Sequence, residues 1–223
     1  MQFEAYVFDA YGTLFDVHSA VRAHAPAVGP KHEAVSALWR VKQLEYTWVR
    51  TLMGRYVDFL KCTEDALVFT LRTHGLHTDA LTERLLSAYQ RLAAYDDVEP
   101  SLAALKQRGA RTAILSNGTP EMLRAAVEAA GIGHLLDQVI SVDRLQRYKT
   151  DPAAYALVEQ ALGVGTAAVS FQSSNKWDVA GAAAHGFRCV HVNRLGTPAE
   201  YGDVVAPAEV RDLDGLLQLD GVR

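Results

Sequence analysis

Three aspartates, two lysines, three serines, three threonines and two asparagines stand in this sequence in four short runs, each following an apolar stretch. The first run is Asp9-Ala10-Tyr11-Gly12-Thr13-Leu14, and the second is Ser116-Asn117-Gly118-Thr119. Lys149 sits in the third, Tyr148-Lys149-Thr150-Asp151-Pro152, and the fourth is Ser173-Ser174-Asn175-Lys176-Trp177-Asp178. A carboxylate at the end of a strand can act as a nucleophile and form a covalent intermediate. Each piece also has a structural explanation. An aspartate before a glycine turn commonly stabilises that turn, and Ser116 or Thr119 can cap a helix. A lone lysine is usually a solvated charge, and Asp178 suits the first turn of a helix, where its charge meets the dipole. The order of the four runs along one scaffold is what lifts them above those readings.

That scaffold is legible in the apolar pattern. Short runs rich in strand formers fall at 5–8, 111–115, 138–142, 167–171 and 187–192. Helical patterns lie between them. One is opened by Pro120 and stopped by Gly131, one runs over 152–162 before Gly163, and one runs over 177–185 before Gly186. Strand and helix in alternation with short connections predict an α/β fold, a doubly wound, Rossmann-like parallel sheet with helices on both faces. In such sheets ligands bind beyond the carboxyl ends of the strands, and all four runs occupy those ends. The stretch 15–93 breaks the alternation with helical patterns over 33–52, 63–74 and 78–92. It reads as an all-helical domain inserted into a core made of 1–14 and 94–223.

Composition bounds the function. The chain has 223 residues, 49% apolar and 22% charged, which is ordinary for a globular protein. Twenty-two basic against 26 acidic residues argue against a nucleic-acid partner or a polybasic membrane ligand. The insertion carries two more basic than acidic residues and the remainder six more acidic than basic. A small anion between the two parts fits that split, and scattered surface charge fits it as well. Two cysteines make no disulfide framework, and no targeting or membrane-spanning stretch is visible. The expectation is a cytoplasmic protein. Its eight histidines form no i,i+4 metal pair with a nearby acid.

Asp-x-x-Gly-Thr-Leu after the first strand, Ser-Asn-Gly-Thr, Tyr-Lys-x-Asp-Pro and Ser-Ser-Asn-x-Trp-Asp together resemble the haloacid dehalogenase superfamily, and within it the L-2-haloacid dehalogenases. The resemblance covers nearly the whole chain. It implies a helical cap domain, a hydrolase acting on carbon–halide bonds, a small 2-haloacid substrate, a halide ion as product, no cofactor and no metal. Three alternatives stand beside it: a Mg²⁺-dependent phosphatase of the same superfamily, a binding module that keeps the pocket for a small carboxylate, and a dehalogenase preferring fluoroacetate. Superfamily phosphatases carry a second aspartate where this chain has Tyr11, and hold Mg²⁺ with several oxygen ligands. With Tyr11, Ser173 and Asn175 neutral, phosphoryl transfer is poorly equipped.

What the resemblance implies can be set residue by residue. Asp9 attacks C2 of the substrate, halide leaves, and water hydrolyses the aspartyl ester. Lys149 keeps Asp9 ionised, Thr13 holds its rotamer, and Asp178, with Asn175 and Ser173, orients or deprotonates the water. Ser116 and the backbone amides of Ala10 and Tyr11 receive the substrate carboxylate, aided by the helix start near Gly118. Arg40, Asn117 and Phe59 receive the halide, and Tyr11, Leu44, Phe59 and Trp177 wall the carbon chain. Tyr155 supports the site through its hydroxyl. On the residues alone, Arg40 reads as a surface charge, and Phe59 and Tyr155 read equally as core aromatics. Lys176 stands where the family has a small or neutral residue; it is silent if it points outward and perturbs Lys149 and Asp178 if inward. A homodimer through the cap helices is also implied.

Overall fold

A fully buried run, Ala5–Phe8, forms β1 at the centre of the sheet, as expected of a strand apolar on both faces. The computed structural model describes residues 3–205 and 207–219; residues 1–2, 206 and 220–223 of the expected core lie outside them. Four further strands follow close to their expected positions: β2 (Arg111–Ser116), β3 (Gln138–Ser141), β4 (Val169–Ser173) and β5 (Arg188–Val192). β4 begins two residues later than its apolar run because Thr166–Ala168 coil into a 3-10 turn. A short β6 (Ala208–Val210), too brief for any periodicity, completes the sheet at one edge.

All neighbouring strands pair in parallel, in the order β3-β2-β1-β4-β5-β6. The chain winds outward from β1 through β2 to β3, then returns to β1's other side at β4. The switch point therefore lies between the carboxyl ends of β1 and β4, where such sheets bind ligands. Asp9 follows β1 there, and its N–H donates to the Gln172 carbonyl of β4 at 2.9 Å.

Between β1 and β2 the chain builds α1 (Ser19–Ala23), α2 (Ala25–Val28), α3 (His32–Met53), α4 (Phe59–Thr73) and α5 (Asp79–Tyr89), then α6 (Val98–Gln107). The core helices are α7 (Pro120–Ala130), α8 (Pro152–Leu162), α9 (Lys176–His185) and α10 (Leu213–Leu219). α8 and α9 pack together, as do α6 and α10. Local chemistry sets the helix ends. Thr119 caps α7 by accepting from the Met122 N–H, Pro120 fills its first position, and Gly131 closes it at φ 69°, in the left-handed region. α4 starts at Phe59 rather than near 63 because Asp58 accepts from the Lys61 N–H and caps it.

The outgoing and returning chains of the inserted helices lie side by side. Phe15 and Ala94 form an antiparallel bridge, Asp16 N–H donates to the Ala93 carbonyl and Tyr95 N–H to the Leu14 carbonyl. Among the described residues no helix is long and apolar enough to cross a membrane.

Candidate active site

Asp9 is buried at the switch point, and both of its carboxylate oxygens accept hydrogen bonds. Thr13 Oγ1 donates to Oδ2 at 3.0 Å and Asn175 Nδ2 to the same oxygen at 2.7 Å. Lys149 Nζ donates to Oδ1 at 3.1 Å. That ammonium, itself fully buried, also donates to Asp178 Oδ2 at 2.8 Å. Tyr155 OH donates to the other Asp178 oxygen at 2.9 Å. Three buried ionisable groups thus form one cluster, with the cation between two carboxylates.

Burying three charges is costly unless each is paired, and the protonation states follow from that. Burial works to lower the Lys149 ammonium, but Asp178 and then Asp9 outweigh it and hold it above the ordinary lysine value. Burial pushes the Asp178 carboxyl up to about 6; Lys149 pulls it down and Asp9 adds to the push. Burial, reinforced by Asp178, holds the Tyr155 phenol well above its usual range, so it remains a donor.

The loop after β2 stands on the other side of Lys149. Asn117 Oδ1 accepts from the Lys149 backbone N–H at 2.9 Å, which joins this loop to the one that carries Lys149. Ser116 Oγ accepts from the Gly118 N–H at 3.1 Å and so keeps its own hydrogen to donate. This is a departure from expectation at one point: the Gly118 amide is committed internally and is not offered to a ligand. Gly118 has a further role. A Cβ there would lie 2.8 Å from Tyr11 Cε2, so only glycine lets the Tyr11 ring lie against this loop.

Arg40 reaches the site from α3. Nη2 donates to the Tyr11 carbonyl at 2.9 Å and to Asn175 Oδ1 at 3.3 Å, and Nη1 donates to Gln43 Oε1 at 2.9 Å. The arginine is thus no free surface charge; it joins an inserted helix to the loops after β1 and β4. Ala10 and Tyr11 are buried in the first of those loops. Phe59 lies 5.5 Å from the Tyr11 ring, and Tyr89 stacks on Tyr11 at 5.6 Å. Leu44 is half-buried one turn beyond Arg40 on α3. Trp177 meets Trp48 of α3 edge to face and lines a groove of about 770 Å³ between α3 and α9.

Ser173 acts at one remove: its hydroxyl accepts from the Asn175 N–H at 3.1 Å. Thr13 Oγ1 likewise accepts from the Ser174 N–H at 2.8 Å while holding Asp9. Lys176 points outward, donating to the Pro198 carbonyl with Glu200 3.9 Å away, so it leaves Lys149 and Asp178 undisturbed. Sequence reasoning gave no role to Gln43, Thr63, Tyr89 or Arg194. The first three form a buried network behind Arg40. Arg194 donates to the Thr13 carbonyl at 2.9 Å. These contacts join helices and strands distant in sequence, and no local spacing signals them.

Residues 3–186 match the family described as haloacid dehalogenase-like hydrolase. The chain is 50% identical over 217 residues to (S)-2-haloacid dehalogenase 1 of Pseudomonas sp. (strain CBS-3), covering 96% of this chain and 95% of that protein. It is 49% identical over 216 residues to (S)-2-haloacid dehalogenase 4A of Burkholderia cepacia, covering 96% and 94%. A solved structure of L-2-haloacid dehalogenase from Xanthobacter autotrophicus with chloropropionic acid covalently bound matches with a TM-score of 0.91. Its identity is 41%, and the match covers 99% of each chain.

Proposed function

The chain belongs to the haloacid dehalogenase-like hydrolases, and from that premise we propose that it hydrolyses L-2-haloalkanoic acids to D-2-hydroxy acids through an ester on Asp9. One observation carries the reading: the Lys149 ammonium lies between Asp9 and Asp178 while a neutral phenol, Tyr11, takes the place of a second acid. Beside Asp9 and Asp178 the groups at the strand ends, Tyr11, Ser173 and Asn175, are neutral, so few of the oxygen ligands a divalent ion needs are at hand, which disfavours phosphatase chemistry. Among the described residues, no three His, Cys, Asp or Glu side chains are grouped to hold a metal.

The steps follow from the contacts. Asp9 Oδ2 is held by two donors and Oδ1 by one, so Oδ1 keeps the lone pair that attacks C2 in line with the carbon–halogen bond. An oxygen–carbon bond forms, halide leaves with the bonding electrons, and C2 inverts. Lys149 keeps Asp9 ionised for attack. The substrate carboxylate is received by the Ser116 hydroxyl and the Ala10 and Tyr11 amides. The halide is received by Arg40, Asn117 and the Phe59 edge, and the carbon chain by Tyr11, Leu44, Phe59 and Trp177. Water then adds to the Asp9 carboxyl carbon, giving one proton to Asp178. The alkoxide of the hydroxy acid leaves and takes that proton from Asp178, and the regenerated Asp9 carboxyl releases the water's other proton to solvent. Asp178 suits this role because its carboxyl, pushed to about 6, is ionised at neutral pH yet basic enough to accept. Thr13, Ser173, Asn175 and Tyr155 hold these groups in place.

We take residues 15–93 as the cap and 1–14 with 94–223 as the core, the boundary supported by the antiparallel bridge between Phe15 and Ala94. Two free thiols, Cys62 and Cys189, suit a reducing cytoplasm. Exposed Val41, Val49 and Leu52 run along one face of α3 and support a homodimer through the cap. Sedimentation of the purified chain at micromolar concentration should give a dimer, and Leu52→Glu a monomer; a monomeric parent chain overturns the dimer.

The test of the reaction is halide release from L- and D-2-chloropropionate with a chelator present. Release from the L isomer alone is expected, and none from Asp9→Asn. A strict Mg²⁺ requirement would sink the reading. In single turnover in heavy-oxygen water, label should appear first in Asp9; label first in the product would refute the ester.

A further inference from the structure

Gln43 is a buried amide in the middle of the inserted helices, and each of its polar atoms has a partner. Its Nε2 donates to Thr63 Oγ1 at 2.6 Å, and the Tyr89 hydroxyl stands 3.1 Å from Nε2 and 3.2 Å from Oε1. Oε1 accepts from Arg40 Nη1 at 2.9 Å. The direction of these bonds is fixed from the far end. Thr63 spends its only hydroxyl hydrogen on the Phe59 carbonyl, one turn back on α4, at 2.7 Å. Its oxygen can therefore only accept, which it does from Gln43 Nε2. The amide is thereby oriented with Oε1 facing the guanidinium. The support is rigid: Trp39 Nε1 donates to the Thr63 carbonyl at 2.9 Å, and Tyr89 is sandwiched by ring contacts with Trp39 and Tyr11.

We infer that Gln43 is a positioning residue for the leaving halide, setting the plane of the Arg40 guanidinium through a polarised chain that runs from the Phe59 carbonyl through Thr63. Resting on the reading of Arg40 as the halide site, the inference adds that Arg40 and Phe59 are parts of one cradle built inside the cap. A flexible arginine held only by the core loops would lose its orientation whenever cap and core part. Gln43 keeps one edge of the guanidinium fixed to the cap, so the cation meets the departing halide with no reorganisation. Poorer leaving groups depend most on that stabilisation, so Gln43 should matter more for chloride than for bromide.

The test compares Gln43→Leu, which removes the acceptor, with Gln43→Glu, which keeps an acceptor but sets an anion against the guanidinium. Two readouts are taken on the full-length enzyme: inhibition by bromide, and the ratio of kcat/KM for 2-bromo- and 2-chloropropionate. The ratio does not depend on the fraction of enzyme folded. Gln43→Leu should weaken bromide inhibition by about tenfold, as loss of a hydrogen bond to a charged group implies. Gln43→Glu should weaken it at least as much, because its anion offsets the Arg40 charge the halide meets. Both should shift the ratio toward the bromo substrate. Thr63→Val should shift both readouts the same way and less. Arg40→Ala is measured alongside. If it alters bromide inhibition and the Gln43 variants do not, the role of Gln43 is overturned and the halide site stands. If Arg40→Ala leaves inhibition unchanged, the halide site falls, and the inference with it.

Discussion

Acid titration of the site centres on Asp178, because its carboxyl is pushed to about 6 by burial while the Tyr155 hydroxyl and the Lys149 ammonium pull it down. The base must be ionised to take a proton from water, so ester hydrolysis should rise with pH through a limb near 6 and level off above it. Tyr155→Phe removes a donor to the carboxylate. Losing a bond to the charged form raises an acid's pKa, so the limb should move to higher pH with the plateau largely kept. Rapid-quench measurement of ester breakdown between pH 5 and 9 would read this directly. A limb that stays put would show that Asp178 is not the group titrating. At this scale the sequence was informative about chemistry carried by strand ends: Asp9, Lys149 and Asp178 each follow an apolar run, and the sheet order brings those ends together. It was silent about Gln43, since a glutamine on an amphipathic helix looks like any solvated residue until α4 and α5 bury it.

Elements show the same division for a physical reason. Helices ended by side-chain chemistry were legible, as with Thr119-Pro120 through Gly131 in α7 and Asp151-Pro152 through Gly163 in α8. Elements defined by what they pack against were not, as with the edge strand Ala208–Val210 and the helix Leu213–Leu219 beside α6. α9 shows how an element positions chemistry. Its Gly181 faces α8, where an added Cβ would collide with the Tyr155 hydroxyl and lie 2.9 Å from Thr150 Cγ2. The close approach of the two helices is what brings Tyr155 onto Asp178. Gly181→Ala improves helix propensity by about 1 kcal/mol, yet overpacking of this kind costs about 1–3 kcal/mol. The expected net result is a loss of stability in urea unfolding, with the acid limb displaced as in Tyr155→Phe. A variant more stable than the parent, with an unmoved limb, would refute the tight seam.

At the scale of the whole molecule, the inserted helices meet the core at two ends of one seam. Near the mouth, Arg40 donates to the Tyr11 carbonyl, Thr51 Oγ1 accepts from the Tyr148 N–H, and Tyr56 donates to Asp143. At the far end Arg194, following β5, grips both connecting chains. It donates twice to the Thr13 carbonyl, pairs in a fork with both Asp97 oxygens, and lies 4.0 Å over the Tyr95 ring. Leu213 N–H donates to the same aspartate, which ties α10 into the joint. The grip also reaches the chemistry, since the Thr13 side chain holds Asp9. Replacing Arg194 by leucine leaves the partly buried Asp97 beside an apolar chain, and the cost approaches the lower end of that for breaking a buried pair, about 3 kcal/mol. Arg194→Leu should therefore lower stability by about that amount. It should also lower kcat by roughly tenfold or more, because small displacements of a nucleophile are expensive. A double change, Arg194→Leu with Asp97→Asn, removes the stranded charge and should recover much of the stability. It should not recover kcat, because the Thr13 carbonyl still lacks the donors that fix its backbone. Recovery of both together would mean that the clamp matters only to folding, and the link from β5 to the nucleophile would be withdrawn.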